Sequence, residues 1–180
     1  RDYLARLRAE ARRGGAGPCD RSLHLLCHSM GNYVLQHALA RLAEFAPGRT
    51  LPRLFDQVFL CAPDVDDDCL EPGRPMGRLP EIARGVSVYY NRGDQALTIS
   101  DVTKGNPDRL GHNGAARPSL LHAKIQQVDC TPVVHGLVEH SYYLSGLVNE
   151  DLRMSLAALE ADDPHRRRRR GSLPHTWTLE

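Results

Sequence analysis

The sequence predicts an α/β fold, a mostly parallel sheet with flanking helices, and three observations carry that prediction. Short apolar runs of strand length alternate with segments whose apolar residues recur at helical spacing. Several of these runs are apolar at nearly every position, as expected of strands covered on both faces. The 180 residues are 41% hydrophobic and 25% charged, enough apolar mass for one domain with a core of its own.

Taken in order, Tyr3, Leu4, Leu7 and Ala11 recur among Arg and Glu as an amphipathic helix, stopped by Gly14, Gly15, Gly17 and Pro18. Residues 23–27 (LHLLC) form the first strand. Residues 33–45 carry a helical apolar pattern that Pro47 and Gly48 end. Residues 54–61 (LFDQVFLC) are a second strand, and a Gly- and Pro-rich stretch over 72–80 leads to a short helix around 81–83. The β-branched and aromatic run 86–90 (VSVYY) is a third strand, and 125–130 a fourth. Residues 149–159 close the body as a helix with Asn149 as its N-cap. The domain is expected to span residues 1–160, followed by a basic, mobile tail over 161–180.

Charge and cysteine content narrow the function classes. Lys and Arg number 23 against 22 Asp and Glu, a net charge of +1. Arg166, Arg167, Arg168, Arg169 and Arg170 are adjacent, and removing those five charges turns +1 into −4. The body is therefore acidic and gives no basis for specific nucleic-acid binding; only the arginine run offers a polyanion contact, and such runs are commonly solvated. No stretch approaches the roughly 20 apolar residues of a membrane span. Cys19, Cys27, Cys61, Cys69 and Cys130 are odd in number and form no CxxC pair, which reads as buried free thiols in a reducing, cytoplasmic setting.

In a parallel α/β sheet, ligands and reacting groups gather beyond the carboxyl ends of the strands. After the first strand comes Cys27-His28-Ser29-Met30-Gly31-Asn32, running straight into a helix. That is the strand–turn–helix setting of a nucleophile elbow, usually G-x-S-x-G. The sharp turn lifts the serine hydroxyl above the sheet, so residues two positions away must be small. Gly31 satisfies this, and Cys27 stands in for the first glycine. The Met30 N–H, at the helix start, is placed to donate to an oxyanion. The plainer alternative is that Ser29 caps a helix.

A serine needs a base, and the base an orienting acid, in the chain order Ser, Asp or Glu, His on this architecture. Asp94, in the loop beyond VSVYY, is the leading acid. Asp64 and Asp66, in the cluster beyond the second strand, are the alternatives. Read as a calcium loop from Asp64, that cluster puts Cys69 where glycine is needed and Pro75 where glutamate is needed, so no metal site is expected. Of nine histidines, His140 and His135 follow the fourth strand, where the base belongs. His140 leads because it opens an apolar helical stretch, and His135 is the alternative. His28 is expected to line the pocket or hydrogen-bond within it.

The blocks LLCHSMGNYVLQHAL, VFLCAPDVDDD, VYYNRGDQAL, RLGHNGA and VEHSYYL, in that order over residues 23–147, resemble an α/β-hydrolase family of unknown function related to esterases and lipases. The elbow block alone is generic; the ordered set is specific. The resemblance implies Ser29 as nucleophile, Asp94 as acid and His140 as base, acting on a small-molecule acyl ester or lipid-like substrate without metal or organic cofactor. It also implies strands upstream of the elbow and a second oxyanion donor from a loop among them. The chain opens at Arg1 with one helix and a turn before LHLLC, so those strands are expected to lie outside it. A non-catalytic binding or scaffold domain on the same fold is the competing expectation.

Overall fold

The structure, a computed structural model, describes residues 22–97, 108–135, 140–144 and 146–180. The helix expected from Tyr3 to Ala11, its Gly/Pro stop and Cys19 lie outside the described residues. Strand β1 is His24–His28, β2 Phe55–Cys61, β3 Ala83–Tyr90 and β4 Ile125–Asp129. Each sits within a few residues of its expected run. All four pair in parallel in the order β1-β2-β3-β4. Parallel neighbours need crossovers, which here are helix α1 (Gly31–Glu44), the short helix α2 (Leu79–Ile82) and the short helix α3 (Leu110–Asn113).

The near-continuous apolar character of the carboxyl halves of β2 and β3 is explained by burial on both faces. On one face Val58, Leu60, Val86, Val88 and Ile125 pack with Leu35 and Leu39 of α1 and with Leu79 and Leu110. On the other, Phe59, Tyr89 and Val128 pack against Leu152 of α4 (Gly146–Leu156) and against Tyr142. Fully burying each such side chain contributes about 1.5–3 kcal/mol. β1 is the outer strand of the described sheet, and Leu23 and Leu26 remain exposed along it.

Three expected boundaries shift. α1 begins at Gly31 rather than at residue 33, so the turn carrying Ser29 passes directly into helix. The short helix lies at Leu79–Ile82, with Pro80 in its first turn, where a missing N–H costs nothing. α4 starts at Gly146, so Asn149 lies inside it instead of capping it; its Nδ2 donates to the carbonyl of Tyr143 at 3.2 Å.

The segment expected as a mobile basic tail is instead part of the sheet. β6 (Thr176–Leu179) adds to β4 in parallel, and β5 (Arg168–Arg170) pairs antiparallel to β6 at the far edge. Alternation in TWTL turns Trp177 and Leu179 inward, and both are buried. The arginine run follows because its charge has a buried partner. Asp151 of α4 takes Arg166 Nε at 3.0 Å, Arg168 Nε at 2.8 Å and Arg168 Nη2 at 2.6 Å. The Tyr89 hydroxyl donates to the same carboxylate at 2.7 Å. Two of the five guanidinium groups are thus committed to the interior, and Arg169 pairs with Glu180. No described helix is long and apolar enough to cross a membrane.

Candidate active site

The last residue of β1, His28, is in register with Cys61, the last residue of β2. Ser29 follows at φ +50°, a left-handed conformation that an ordinary side chain adopts at a cost of about 1–3 kcal/mol. Several bonds hold it there. Ser29 N–H donates to the Cys61 carbonyl at 3.0 Å, and the Ser29 carbonyl accepts from the Asn32 backbone N–H at 3.0 Å. The buried Asn32 side chain donates to the Ser29 carbonyl at 3.0 Å and to the Cys27 carbonyl at 3.2 Å, tying both sides of the turn together. Cys27 fits at the elbow: a Cβ added at Gly31 would stand 4.0 Å from the Cys27 Cβ, an ordinary contact. Met30 is the N-cap of α1, so its N–H belongs to the helix-start donors that no intrahelical carbonyl takes up.

Asp94 lies beyond the end of β3 and is 1% exposed. Its Oδ1 accepts from the N–H groups of Ala96 at 3.1 Å and Leu97 at 3.3 Å, which orients the carboxylate. Its Oδ2 accepts from His140 Nδ1 at 2.7 Å. With Nδ1 as donor, the neutral imidazole carries its lone pair on Nε2. The segment holding His140 is fastened to the strand ends by Tyr142. That buried phenol accepts from the Ala62 N–H at 3.1 Å and donates to the Tyr89 carbonyl at 2.9 Å. Burial pushes the Tyr142 hydroxyl well above its usual pKa, so it stays a neutral donor. Gly111 is required where α3 meets this region, because a Cβ there would lie 2.6 Å from the Ala62 carbonyl carbon and from the Pro63 nitrogen.

The structure brings Asp94 to His140, and it sets the His140 ring 4.7 Å from that of His28, the residue preceding Ser29. The alternative residues go elsewhere. Asp64 and Asp66 pair with Arg109, whose Nε is 3.4 Å from Asp64 Oδ1 and whose Nη1 is 3.1 Å from Asp66 Oδ1. His135 is exposed. Asp67, beside them, is pushed above the usual aspartate range by burial and then by the charges of Asp108, Asp68, Asp66 and Glu71. Among the described residues, no group of three or more His, Cys, Asp or Glu side chains could hold a metal ion.

Beside the elbow opens a cleft of about 300 Å³, lined by Met30, Tyr33, Gln36 and Val65 together with Asp64, Asp66 and Arg109. The loop beyond β2 reaches the turn itself, with the Asp64 N–H 3.4 Å from the Ser29 carbonyl. The sequence gives Arg109 and Asn32 no role at the site, and Tyr142 none beyond core or pocket wall. Asn32 alone had a local signal, a helix-start amide three residues after the serine. The other two act across long chain separations.

A mostly parallel sheet with flanking helices and a left-handed serine at a strand-to-helix turn fits the α/β hydrolase class. Within that class, the chain belongs to the family described as alpha/beta hydrolase of unknown function (DUF900), whose model matches residues 15–153. Neither a curated protein nor a solved structure matches the chain significantly.

Proposed function

We propose that the protein is a serine hydrolase that cleaves carboxylic (acyl) esters through an acyl-enzyme. The observation carrying this reading is the 2.7 Å bond from His140 Nδ1 to the buried Asp94, at the same strand ends as the left-handed Ser29. Ser29 Oγ attacks the acyl carbonyl while His140 Nε2 accepts its proton. Asp94 keeps the ring in the right tautomer and stabilises the imidazolium that forms. The Met30 N–H donates to the tetrahedral oxyanion. Collapse expels the alcohol, which takes the proton from His140 and leaves the acyl group on Ser29. Water then attacks that ester with His140 again as base, the carboxylic acid departs, and the proton returns to Ser29.

The cleft beside Met30 is suited in size to a small acyl ester or one arm of a lipid-like ester. The free thiols of Cys27, Cys61, Cys69 and Cys130 fit a reducing, cytoplasmic setting. Hydrolysis of p-nitrophenyl acetate and butyrate by the wild type and by Ser29→Ala is the direct test. Turnover is expected to fall by roughly 10³-fold or more in the variant. Equal turnover in the two proteins rejects Ser29 as nucleophile, and absence of turnover in the wild type favours a binding role.

A further inference from the structure

We propose that His28 is a positioning residue for the imidazole of His140. This rests on the reading of Ser29, Asp94 and His140 given above. His28 Nε2 lies 3.1 Å from the backbone carbonyl of His140 itself. A carbonyl only accepts, so His28 is the donor, and the neutral ring carries its proton on Nε2. Its ring also packs on two others, 4.7 Å from the His140 ring and 4.8 Å from the Tyr143 ring.

The consequence follows from connectivity. Asp94 fixes the His140 ring from β3, but Asp94 and Ser29 stand on different strands. His28 is bonded covalently to Ser29 and hydrogen-bonded to the main chain of His140. It therefore links the attacking oxygen's residue to the residue that takes its proton. Without this bond the His140 segment keeps its ties through Tyr142 and Asp94 but loses its hydrogen bond to the strand that leads into Ser29.

The setting keeps His28 in the required form. Burial lowers its pKa most, the neighbouring His140 lowers it further, and the bond to the His140 backbone and the charge of Asp94 oppose. A neutral His28 also avoids placing a second cation beside the imidazolium that His140 becomes during attack.

The test separates donor from ring. His28→Phe keeps an aromatic ring and loses the N–H; His28→Gln loses the ring and keeps an N–H donor of similar reach. His28→Leu replaces His28→Phe if the latter does not fold, judged by thermal unfolding. Two readouts are taken on the full chain: the rate at which a fluorophosphonate labels Ser29, and the low-field proton resonance of the His140 Nδ1–H bonded to Asp94. In the donor-free variant, labelling is expected to slow by about tenfold or more, the scale that a misplaced catalytic group costs. The low-field resonance is expected to broaden or vanish, and His28→Gln to restore most of both. Wild-type rate and resonance in the donor-free variant overturn the proposal, as does an equal loss in His28→Gln. If the wild type itself is not labelled, the hydrolase reading fails, and the resonance alone decides whether His28 positions His140.

Discussion

Two aspartates of this protein are buried to the same degree and meet different partners. Asp94 and Asp151 are each 1% exposed. Asp94 accepts from the imidazole Nδ1 of His140. Asp151 meets the guanidinium groups of Arg166 and Arg168 and the Tyr89 hydroxyl. The first pair sits beside His28, which leads into the strained turn at Ser29. The second lies under the C-terminal strands and holds the chain end to α4. Burial alone does not say what a carboxylate is for. Its partner and its surroundings do.

The largest effect that tests this contrast is expected from Asp94→Asn. The substitution keeps size and shape but no longer favours the Nδ1–H tautomer of His140. Ester turnover is expected to drop by about 10⁴-fold with the fold retained, the scale reported for the same change in serine proteases. Circular dichroism and steady-state kinetics on one preparation check it. Wild-type turnover in that variant removes Asp94 from the mechanism.

Asp151→Asn should give the reverse pattern. It leaves two buried guanidinium groups without their anion, and breaking such a pair costs about 3–5 kcal/mol. Urea unfolding should show that loss, while the fraction that remains folded keeps its turnover. The pH dependence has a definite sign. Burial on its own raises the Asp151 pKa, but the hydrogen bonds and charges of Arg168 and then Arg166 outweigh it and hold it below the ordinary 3.8. Its contribution is therefore complete above the unfolded-chain value and is lost as pH falls through the lower folded value. Wild-type unfolding free energy should decline across that acid window more steeply than that of Asp151→Asn. Parallel curves would mean that Asp151 carries no linkage.

The smallest effect is expected at the elbow. Gly31 meets no backbone within contact range and lies in helix, so Gly31→Ala should change stability by only about 0.5 kcal/mol in either direction. A large loss would show that the turn at Ser29 is held more tightly than its contacts indicate.

The two regions also differ in how far the sequence reveals them. β2 and β3 are legible because strands covered on both faces are written as apolar runs. β1 carries the same pattern although Leu26 stays exposed, and the turn after each run marks a carboxyl end. Ser29, Asp94 and His140 are nameable as candidates because each follows such an end in a fixed chain order. The bond that ties His28 to His140 spans 112 residues, and the one from Arg109 to Asp66 spans 43; no local pattern encodes either. The arginine run misleads for a different reason. A charge run is solvated unless an acid is buried beside it, and Asp151 looks like any other aspartate on a helix. TWTL did carry the period of a half-buried strand, a signal that the neighbouring charges masked.

The most direct measurement is mass-spectrometric mapping of a fluorophosphonate adduct on the wild type and on His140→Ala, both shown to be folded. A serine activated by His140 predicts one adduct, on Ser29, in the wild type and a labelling rate lower by roughly 10³-fold or more in the variant. An adduct elsewhere, or equal labelling of Ser29 with and without His140, contradicts it.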